Sequence, residues 1–401
     1  MATGSIRPDR PRVCHLSTAH SADDSRVFWR EARGLASRGF DVTLVARRDG
    51  TKIIDGVRVI GLPTYHSRLV RMTWGVLRAF WIALMSQSRL VHIHDPELVP
   101  LLIPLRLIGK KVVYDSHEWI SRQVAAKRYL PTPLRRAAAV FARGLEWTAG
   151  RVAHRIVTVN SACASVFPAA KVSIVANYPE RSRFPYLDMK PAGSAGATVP
   201  SAEDSGGETS GGEERVPVFV YVGGITANRG LREMITATAI VARDTSVRLR
   251  LAGRASPSAL MDEVAAEPGW QNVDYVGLVP HDEVSNHMRG AVAGLATLWP
   301  TPNHLISSPI KVFEYMAMGL PVIMSDFPQW RALLDGVDCV MWIDPADPKT
   351  IAAAMHELLA DPERRARMGE VARQAVLEKF VWEKQLDNLV DAYRRIGIKV
   401  G

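Results

Sequence analysis

Histidines and carboxylates cluster at two places in the first third of the chain. His94 and Asp95 lie in the stretch HIHDPE, and His117 lies in YDSHE, just past the apolar run KVVYD. In an open parallel sheet, ligands bind outside the carboxyl ends of the strands, so these side chains are expected to face one crevice. A lone histidine is more often a surface or helix-cap residue. Two histidine–carboxylate clusters at equivalent strand ends instead favour a functional site, with His117 as a candidate catalytic residue.

A glycine turn followed by a cation lies in the second half of the chain. In YVGGITANRG, an apolar strand runs into Gly223 and Gly224, and Arg229 lies at the start of the next helix. Backbone N–H groups at a helix N-terminus bind anions, whereas a cation there opposes the helix dipole unless an anion is bound. The stretch matches neither G-x-G-x-x-G nor the P-loop GK[ST]. It is therefore either a tight turn or a phosphate site, and Arg229 favours the phosphate.

The most specific stretch is SSPIKVFEYMAMGLPVIMSD, at residues 307–326. Ser308 precedes a predicted helix, and Lys311 and Glu314 lie three residues apart on it. Taken alone, Lys311 and Glu314 could be an exposed ion pair on one helix face.

Strands rich in Val and Ile alternate with amphipathic helices along most of the chain. This rhythm predicts parallel sheets covered by helices on both faces. The predicted strands are 13–17, 41–46, 57–62, 90–94, 111–115, 155–160 and 172–177 in the first half, and 218–222, 248–252, 273–278, 294–298, 321–325 and 339–343 in the second. The main predicted helices are 26–38, 69–85, 230–243, 309–318, 348–360, 362–379 and 381–396.

A polar segment interrupts this rhythm. Residues 191–214 are rich in Gly, Ser and Glu and contain no aromatic residue, so they are expected to form a flexible insert. We predict an N-terminal Rossmann-like domain at 1–180, a linker with this insert at 181–214 and a second Rossmann-like domain at 215–380. The C-terminal helix at 381–401 is expected to pack back on the N-terminal domain. The ligand crevice is expected between the two doubly wound α/β domains.

Composition excludes several classes of protein. The chain has 401 residues, of which 47% are hydrophobic and 23% charged, as in ordinary globular proteins. Its three scattered cysteines exclude a disulfide scaffold and disfavour a cysteine-based zinc site. Apolar runs are too short to span a membrane, and the first residues do not form a secretory signal. We therefore expect a cytoplasmic protein.

Together, these motifs resemble the family 4 glycosyltransferases, which are retaining enzymes of the two-Rossmann GT-B fold. The resemblance covers the chain outside the insert and includes DSRVFWREARGLASRGFDVTLVA, HDPEL, YDSHE, YVGGITANRG, VGLVPHDEV and KVFEYMAMGLPVI. It implies a transferase that moves a sugar from a nucleotide-diphosphate sugar, bound by the C-terminal donor domain, to a hydroxyl acceptor, bound by the N-terminal acceptor domain. The acceptor is expected to be lipid-linked or a glycan or polysaccharide precursor. Retention would proceed by front-face attack, with the leaving phosphate taking the acceptor proton. No D-x-D motif occurs, so neither a metal nor another cofactor is indicated for this step.

The resemblance also implies roles for individual residues. Glu314 matches the glutamate that binds the ribose hydroxyls of the donor, and His117 matches the histidine beside the donor sugar. The Gly223–Gly224 turn would lie against the diphosphate, and Arg229 stands where the family usually has a lysine that grips it. The N-terminal domain of this fold usually meets the acceptor. The acceptor-side candidates are Asp24, Arg26, His94 and Asp95.

Two positions depart from the family pattern. Gly224 replaces the arginine of the usual GR pair, and Ile306 stands where the first glutamate of the Glu-x7-Glu pair is expected. Ser308 and Lys311 lie near that second position. We expect Arg229 and Lys311 to supply the two cations that grip the diphosphate.

The positive charge is concentrated in the N-terminal half. Residues 1–190 contain 30 Lys and Arg against 14 Asp and Glu, which gives this part a net charge of +16, compared with +9 for the whole chain. An apolar stripe on the predicted helix 69–85 and an arginine group (Arg68, Arg71 and Arg78) occupy different faces; the stripe is Val70, Trp74, Leu77, Trp81 and Leu84. The predicted helix 69–85 either faces the core with this stripe or forms a surface that binds an anionic membrane and receives a lipid-linked acceptor. Nucleic acid is a poorer partner, because no recognised binding motif accompanies the charge.

Two other functions remain open at this point. A nucleotide-sugar epimerase of the same fold would need acid–base carboxylates in the crevice. A non-catalytic subunit that binds sugar nucleotides would be consistent with the missing arginine and glutamate.

Overall fold

The computed structural model describes residues 10–127, 131–188, 216–280 and 283–400. They form two compact units, one comprising Met1–Asn177 with Trp382–Gly401, the other Tyr178–Val381. The predicted insert at 191–214 lies outside the described residues. The predicted linker begins at 181, but Phe184 and Leu187 are buried in the core of the second unit. The structured part of that unit therefore begins before the insert.

The described part of the first unit contains an eight-stranded sheet. Its strands are β1 Arg12–Ser21, β2 Asp41–Arg47, β3 Thr51–Ile54, β4 Val57–Leu62, β5 Leu90–Ile93, β6 Lys111–Ser116, β7 Arg155–Thr158 and β8 Val172–Ile174. Their order is β3-β4-β2-β1-β5-β6-β7-β8, and all pairs are parallel except β3 with β4. The order reverses between β1 and β5, which is the switch point where doubly wound folds bind ligands.

Helices cover both faces of this sheet. They comprise a π-helical turn Ser25–Ala32 leading into α1 Arg33–Ser37, α2 Arg68–Val70, a π-helical turn Arg71–Gly75, α3 Val76–Met85, a 3-10 turn Pro96–Leu101, α4 Leu102–Leu107, α5 Ile120–Ala125, α6 Thr132–Val152 and α7 Ser161–Ala164. A further 3-10 turn of this unit lies at Ala169–Lys171, and two more, at Arg181–Arg183 and Pro185–Asp188, begin the second unit.

The described part of the second unit contains a six-stranded, all-parallel sheet. Its strands are β9 Val218–Val222, β10 Arg248–Ala252, β11 Val273–Gly277, β12 Ala293–Ala296, β13 Val322–Ser325 and β14 Val340–Ile343, in the order β11-β10-β9-β12-β13-β14. This is the Rossmann order, with its switch point between β9 and β12. The predicted doubly wound α/β class is confirmed.

Helices also flank this second sheet. They are α8 Leu231–Val241, α9 Leu260–Val264, α10 Val284–Met288, α11 Ile310–Ala317, α12 Pro328–Leu333, α13 Pro348–Ala360 and α14 Pro362–Glu378, with 3-10 turns at Ala227–Arg229, Trp270–Asn272 and His304–Ile306. The last helix, α15 Trp382–Arg394, belongs to the first unit and packs there with α1, β7 and β8. Its buried face includes Trp382, Leu389 and Tyr393.

The segment from 68 to 85 turns its apolar stripe outward. Its buried residues are small, namely Gly75, Ala79 and Ala83, and Ala79 and Ala83 pack in the core beneath. Trp74 is 68% exposed and Trp81 is 61% exposed, while Leu77 and Val70 are also exposed. The core-facing interpretation is therefore wrong for four of the five stripe residues, and the fifth, Leu84, is half-buried. The small residues let the backbone approach the sheet.

Candidate active site

A strained turn follows β9 at the switch point of the second unit. Gly223 has φ +121°, a backbone conformation that side-chain-bearing residues rarely adopt. Its N–H donates to the Ala252 carbonyl oxygen at 2.9 Å. The Gly224 carbonyl oxygen accepts hydrogen bonds from the Tyr221 hydroxyl and from Arg229 Nη1, at 2.7 and 3.1 Å. The turn thus brings the guanidinium of Arg229 beside the glycine pair.

Lys311 reaches the same turn from α11. Its Nζ lies 3.4 Å from the centroid of the Tyr221 ring, and it has no hydrogen-bond partner among the described residues. A Cβ on Gly223 would lie 3.4 Å from Lys311 Nζ and 3.9 Å from Arg229 Nη1. Glycine therefore leaves open a space that two cations face. Burial, together with the charge of Arg229, holds the pKa of Lys311 well below its usual range.

The other donor-side candidates lie on or next to the same helix. Glu314 is one turn after Lys311 and is 8% exposed, and Ser308 is half-buried two residues before α11 begins. His304 was not identified from the sequence. Its Nδ1–H donates to the Trp299 carbonyl oxygen at 2.8 Å, and burial lowers its pKa. The charges of Arg229 and Lys311 lower that pKa further, which places His304 near both cations.

In the first unit, His117 follows β6 and pairs with a second histidine. Its ring centroid lies 5.3 Å from that of His20, with the rings nearly perpendicular. The Nδ1 atom of His117 is buried and has no hydrogen-bond partner among the described residues. Burial lowers the pKa of His117, so its imidazole is neutral near pH 7. Sequence reasoning missed His20, because it lies at the end of β1, far from His117 in the chain.

Asp95 organises the end of β1. Its carboxylate accepts hydrogen bonds from the Ser17 hydroxyl at 2.8 Å and the Ala19 N–H at 3.0 Å, and it lies 3.0 Å from His20 Nδ1. Burial lowers the pKa of His20, but the hydrogen bond to Asp95 and the charges of Asp95, Asp24 and Asp115 together outweigh burial and raise that pKa. The structure thus holds a histidine with raised pKa beside the neutral His117.

Asp24 and Arg26 are engaged within the first unit. Asp24 caps the turn Ser25–Ala32 by accepting hydrogen bonds from the N–H groups of Arg26 and Val27. Arg26 is buried, and its Nε and Nη2 donate to the Asp115 carboxylate at 2.9 and 3.2 Å. These contacts favour a positioning role for both residues. Their predicted contact with an acceptor, and that of Asp95 and the fully buried His94, stays a prediction.

Two domain profiles match the chain. "Glycosyltransferase Family 4" matches residues 25–175, and "Glycosyl transferases group 1" matches residues 216–361, so the two cover about three quarters of the chain. The chain belongs to the family 4 glycosyltransferases. The candidate residues of both units lie within the matched ranges or one residue before them, as Asp24 does.

Known proteins agree with this assignment. The glycosyltransferase is 26% identical to an alpha-maltose-1-phosphate synthase of Mycobacterium tuberculosis over 63% of its own chain and 66% of that protein. Across the first sequence relatives, the matched segments span 46–66% of the relative's length. Among solved structures, sucrose-phosphate synthase from Thermosynechococcus elongatus superposes with a TM-score of 0.72 at 17% identity, covering 96% of this chain and 99% of that one.

A second similar structure, at TM-score 0.67 and 12% identity, is that of the Anabaena protein HepE in complex with UDP-glucose, with 96% of this chain and 99% of that chain covered. At such identities the likeness shows the fold alone. Two predictions made from the sequence are confirmed, namely the GT-B fold class and the assignment of the chain as a glycosyltransferase.

Proposed function

We propose that this glycosyltransferase transfers a sugar, with retention, from a nucleotide-diphosphate sugar to a hydroxyl acceptor, without a metal at the donor diphosphate. The observation that carries the proposal is Lys311, whose buried amino group has no hydrogen-bond partner among the described residues and faces the glycine turn. A positive charge on this buried group is costly in the free protein, and a bound anion would remove that cost.

The proposed chemistry needs stabilisation of the departing diphosphate. As the sugar–oxygen bond breaks, negative charge grows on the phosphate, and preorganised cations stabilise that charge most effectively in a site that excludes water. Lys311 and Arg229 supply two such cations. The acceptor hydroxyl attacks on the face of the leaving group, forms the new bond to the anomeric carbon and passes its proton to the departing phosphate. We assign the ribose hydroxyls to Glu314 and the sugar to His117.

Two further observations support a nucleotide sugar as donor. The structure of the similar fold in HepE contains UDP-glucose. The distance between Lys311 and Glu314 along α11 is about one helical turn, which allows one helix to contact both the phosphates and the ribose of a bound nucleotide.

A thermal-shift screen with UDP, GDP and ADP sugars tests the donor class. We expect the sugar nucleotides of one base to stabilise the protein by about 2.7 kcal/mol at 100 times the dissociation constant. Incubation of that donor with no acceptor, followed by product analysis, separates transfer from epimerisation: slow hydrolysis is expected, and an epimerised sugar nucleotide would contradict transfer. Failure of every nucleotide sugar to stabilise the protein would overturn the proposal.

We further propose that the acceptor is lipid-linked and that the first unit binds the membrane peripherally, at its inner face. The tryptophan face, which comprises Val70, Trp74, Leu77 and Trp81, is solvent-exposed. Residues of α3 and α6 pack into the same buried cluster of the first unit. On α6, Phe141 and Trp147 are 65% and 63% exposed. Exposed aromatic residues on two helices that share one buried cluster are typical of a surface that inserts into the headgroup region.

Charge favours an anionic membrane as the partner of this surface. Arg68 and Arg78 are exposed beside the tryptophan face, and Arg136 and Arg143 are exposed on α6. Arg71, which the sequence groups with Arg68 and Arg78, instead pairs with Glu97 at 3.1 Å. Among the described residues, no helix is both long and apolar enough to cross a membrane. Attachment would therefore depend on interfacial side chains and charge.

Charge reversal at Arg68 and Arg78 tests membrane attachment. Each arginine near an anionic leaflet contributes about 1 kcal/mol, so losing two should lower partitioning roughly thirtyfold, and repulsion by the new glutamates should lower it further. We expect the double variant to lose sedimentation with phosphatidylglycerol liposomes and to retain nucleotide binding. The matched control reverses Arg58 and Arg89, which are exposed elsewhere in the same unit.

The wild type provides the decisive comparison. Its binding should weaken as salt rises, because the charges are screened beyond about 8 Å at physiological ionic strength. Binding should also be lost on neutral phosphatidylcholine. If the wild-type protein does not sediment with anionic liposomes at low salt, the tryptophan face is not a membrane surface and a soluble acceptor is the better assignment.

A further inference from the structure

Three histidines and a glutamate meet in the core of the first unit. His15 on β1 and His92 on β5 are direct partners in the parallel register. His94, two residues after His92, lies on the same side of the sheet because side chains alternate along a strand. Glu31 approaches from the turn Ser25–Ala32. All four side chains are fully buried, which is an unusual place for so many polar groups.

The four groups have the geometry of a metal-ligand set. Glu31 Oε2 lies 3.9 Å from His15 Nδ1, 4.0 Å from His92 Nδ1 and 4.0 Å from His94 Nε2. His15 Nδ1 and His94 Nε2 are 2.9 Å apart. In a tetrahedral zinc site with bonds of about 2.0–2.1 Å, neighbouring ligand atoms are about 3.3 Å apart. The four ligand atoms lie within 4.8 Å of one another, so the widest separations must shorten, by movement of the side chains, for all four to bind one ion.

The carboxylate is the part of this cluster that most needs a partner. Neither oxygen of Glu31 accepts a hydrogen bond from a described residue. Arg26 Nε lies 3.0 Å from Glu31 Oε1, but the same atom donates to Asp115 at 2.9 Å. The other oxygen, Oε2, lies 3.9–4.0 Å from three imidazole nitrogens, which is beyond hydrogen-bond distance. A cation at the centre of the four atoms would compensate the charge of this buried carboxylate.

Two of the histidines have an oxygen atom near their remote nitrogens. His94 Nδ1 lies 3.4 Å from Asp115 Oδ2, and His15 Nε2 lies 3.2 Å from the Tyr393 hydroxyl of α15. Metal-bound histidines usually donate their other N–H to a carboxylate or another oxygen, which fixes the ring for the metal. Tyr393 also approaches His92 Nδ1 at 2.7 Å. Metal binding would replace that hydrogen bond and leave Tyr393 with His15.

We propose that His15, Glu31, His92 and His94 form a closed binding site for a divalent zinc-class ion. Three imidazole nitrogens and one carboxylate oxygen suit zinc. The four ligands leave no position for a substrate or water, so the ion would be structural. It would tie β1, β5 and the turn Ser25–Ala32 together. The site is distinct from the donor site, which lies in the other unit, and does not rest on the proposed function.

Metal analysis of the full-length, tag-free protein tests this proposal directly. After growth with zinc and desalting, we expect about one zinc per chain by elemental analysis. Because the ligands are fully buried, removal should require dipicolinate in moderate denaturant, where local opening exposes them. The apoprotein should melt at a lower temperature, and zinc should restore the original value. Absence of bound metal, combined with a melting temperature that zinc does not change, would show that the cluster is only a buried polar network.

Cobalt substitution and one variant test the ligand assignment. Co²⁺ in the wild-type site should show the visible absorption bands of tetrahedral coordination, and Glu31→Gln should lose or shift them and bind less than a tenth of the zinc. His66→Gln is the matched control, because His66 is exposed in the same unit, and it should retain both properties. If Glu31→Gln does not fold, the metal content and the cobalt spectrum of the wild type decide the question. Octahedral or absent bands there would refute the assignment.

Discussion

Replacing Lys311 with methionine is expected to lower kcat/KM for the donor by about 10²–10³ while leaving the protein folded. This is the usual loss when one preorganised group that stabilises developing negative charge is removed. Methionine keeps the length of the side chain and suits its buried position. Removing an unpaired buried cation should also raise the melting temperature of the free protein, so binding and stability move in opposite directions. Steady-state kinetics, nucleotide titration and thermal denaturation measure the three quantities.

Lys349→Met is the matched control for this variant. Lys349 is exposed at the start of α13 in the same unit, so its replacement should change none of these quantities. A Lys311→Met enzyme with wild-type affinity for the nucleoside diphosphate would remove Lys311 from the donor site. A Lys311→Met variant that fails to fold would contradict the expectation that the buried amino group of Lys311 lowers the stability of the free protein.

The same lysine makes nucleotide binding depend on pH. In the free protein its pKa is held well below the usual range by burial and by Arg229. A bound diphosphate supplies the missing counter-charge and raises that pKa, so the site takes up a proton on binding wherever the free lysine is neutral. The affinity for the nucleoside diphosphate should therefore fall as the pH rises from the pKa of Lys311 in the free protein to its pKa in the complex. The expected fall is up to tenfold per pH unit. Calorimetry in buffers of different ionisation enthalpy should detect the proton uptake, and Lys311→Met should abolish it.

The sheets could be predicted from the sequence because each main strand is a short apolar run between helical segments. The strand at Thr51–Ile54 was missed because it is a largely exposed edge strand that pairs antiparallel with β4. Its turn, Asp55–Gly56, has positive φ at both residues and is a common hairpin signal. Attention to that dipeptide would have found the strand.

The donor-side residues were accessible to sequence reasoning, whereas most of the first unit's polar cluster was not. Lys311 and Glu314 lie on one helix, so their spacing alone places them together. The predicted histidines are approached by three residues from distant parts of the chain, His15, His20 and Glu31. These contacts depend on the register between β1 and β5 and on the packing of a helical turn, neither of which can be derived from the sequence alone. For the segment 68–85, the apolar stripe was visible, but its direction was decided by Ala79 and Ala83, whose small side chains give a weak hydrophobic signal.

Replacing His117 with alanine is expected to reduce transfer at least a hundredfold while leaving nucleotide affinity within about twofold of wild type. The cations assigned to the diphosphate lie in the second unit, whereas His117 is in the first and is assigned to the sugar. Preorganised groups at the reacting centre commonly contribute 10²–10³ in rate. The variant should fold normally, because Nδ1 of His117 has no hydrogen-bond partner among the described residues that the substitution could remove.

Separate measurements of binding and turnover test this division of roles. Titration with the nucleoside diphosphate should give similar dissociation constants for His117→Ala and wild type, while kcat for transfer falls. His66→Ala, an exposed histidine variant of the same unit, should behave as wild type in both assays. His117→Gln retains hydrogen-bonding capacity and should lose less activity than the alanine variant, because a neutral imidazole acts here by hydrogen bonding rather than by charge. Unchanged turnover in His117→Ala would place the sugar elsewhere, and a large loss of nucleotide affinity would show that His117 contacts the leaving group instead.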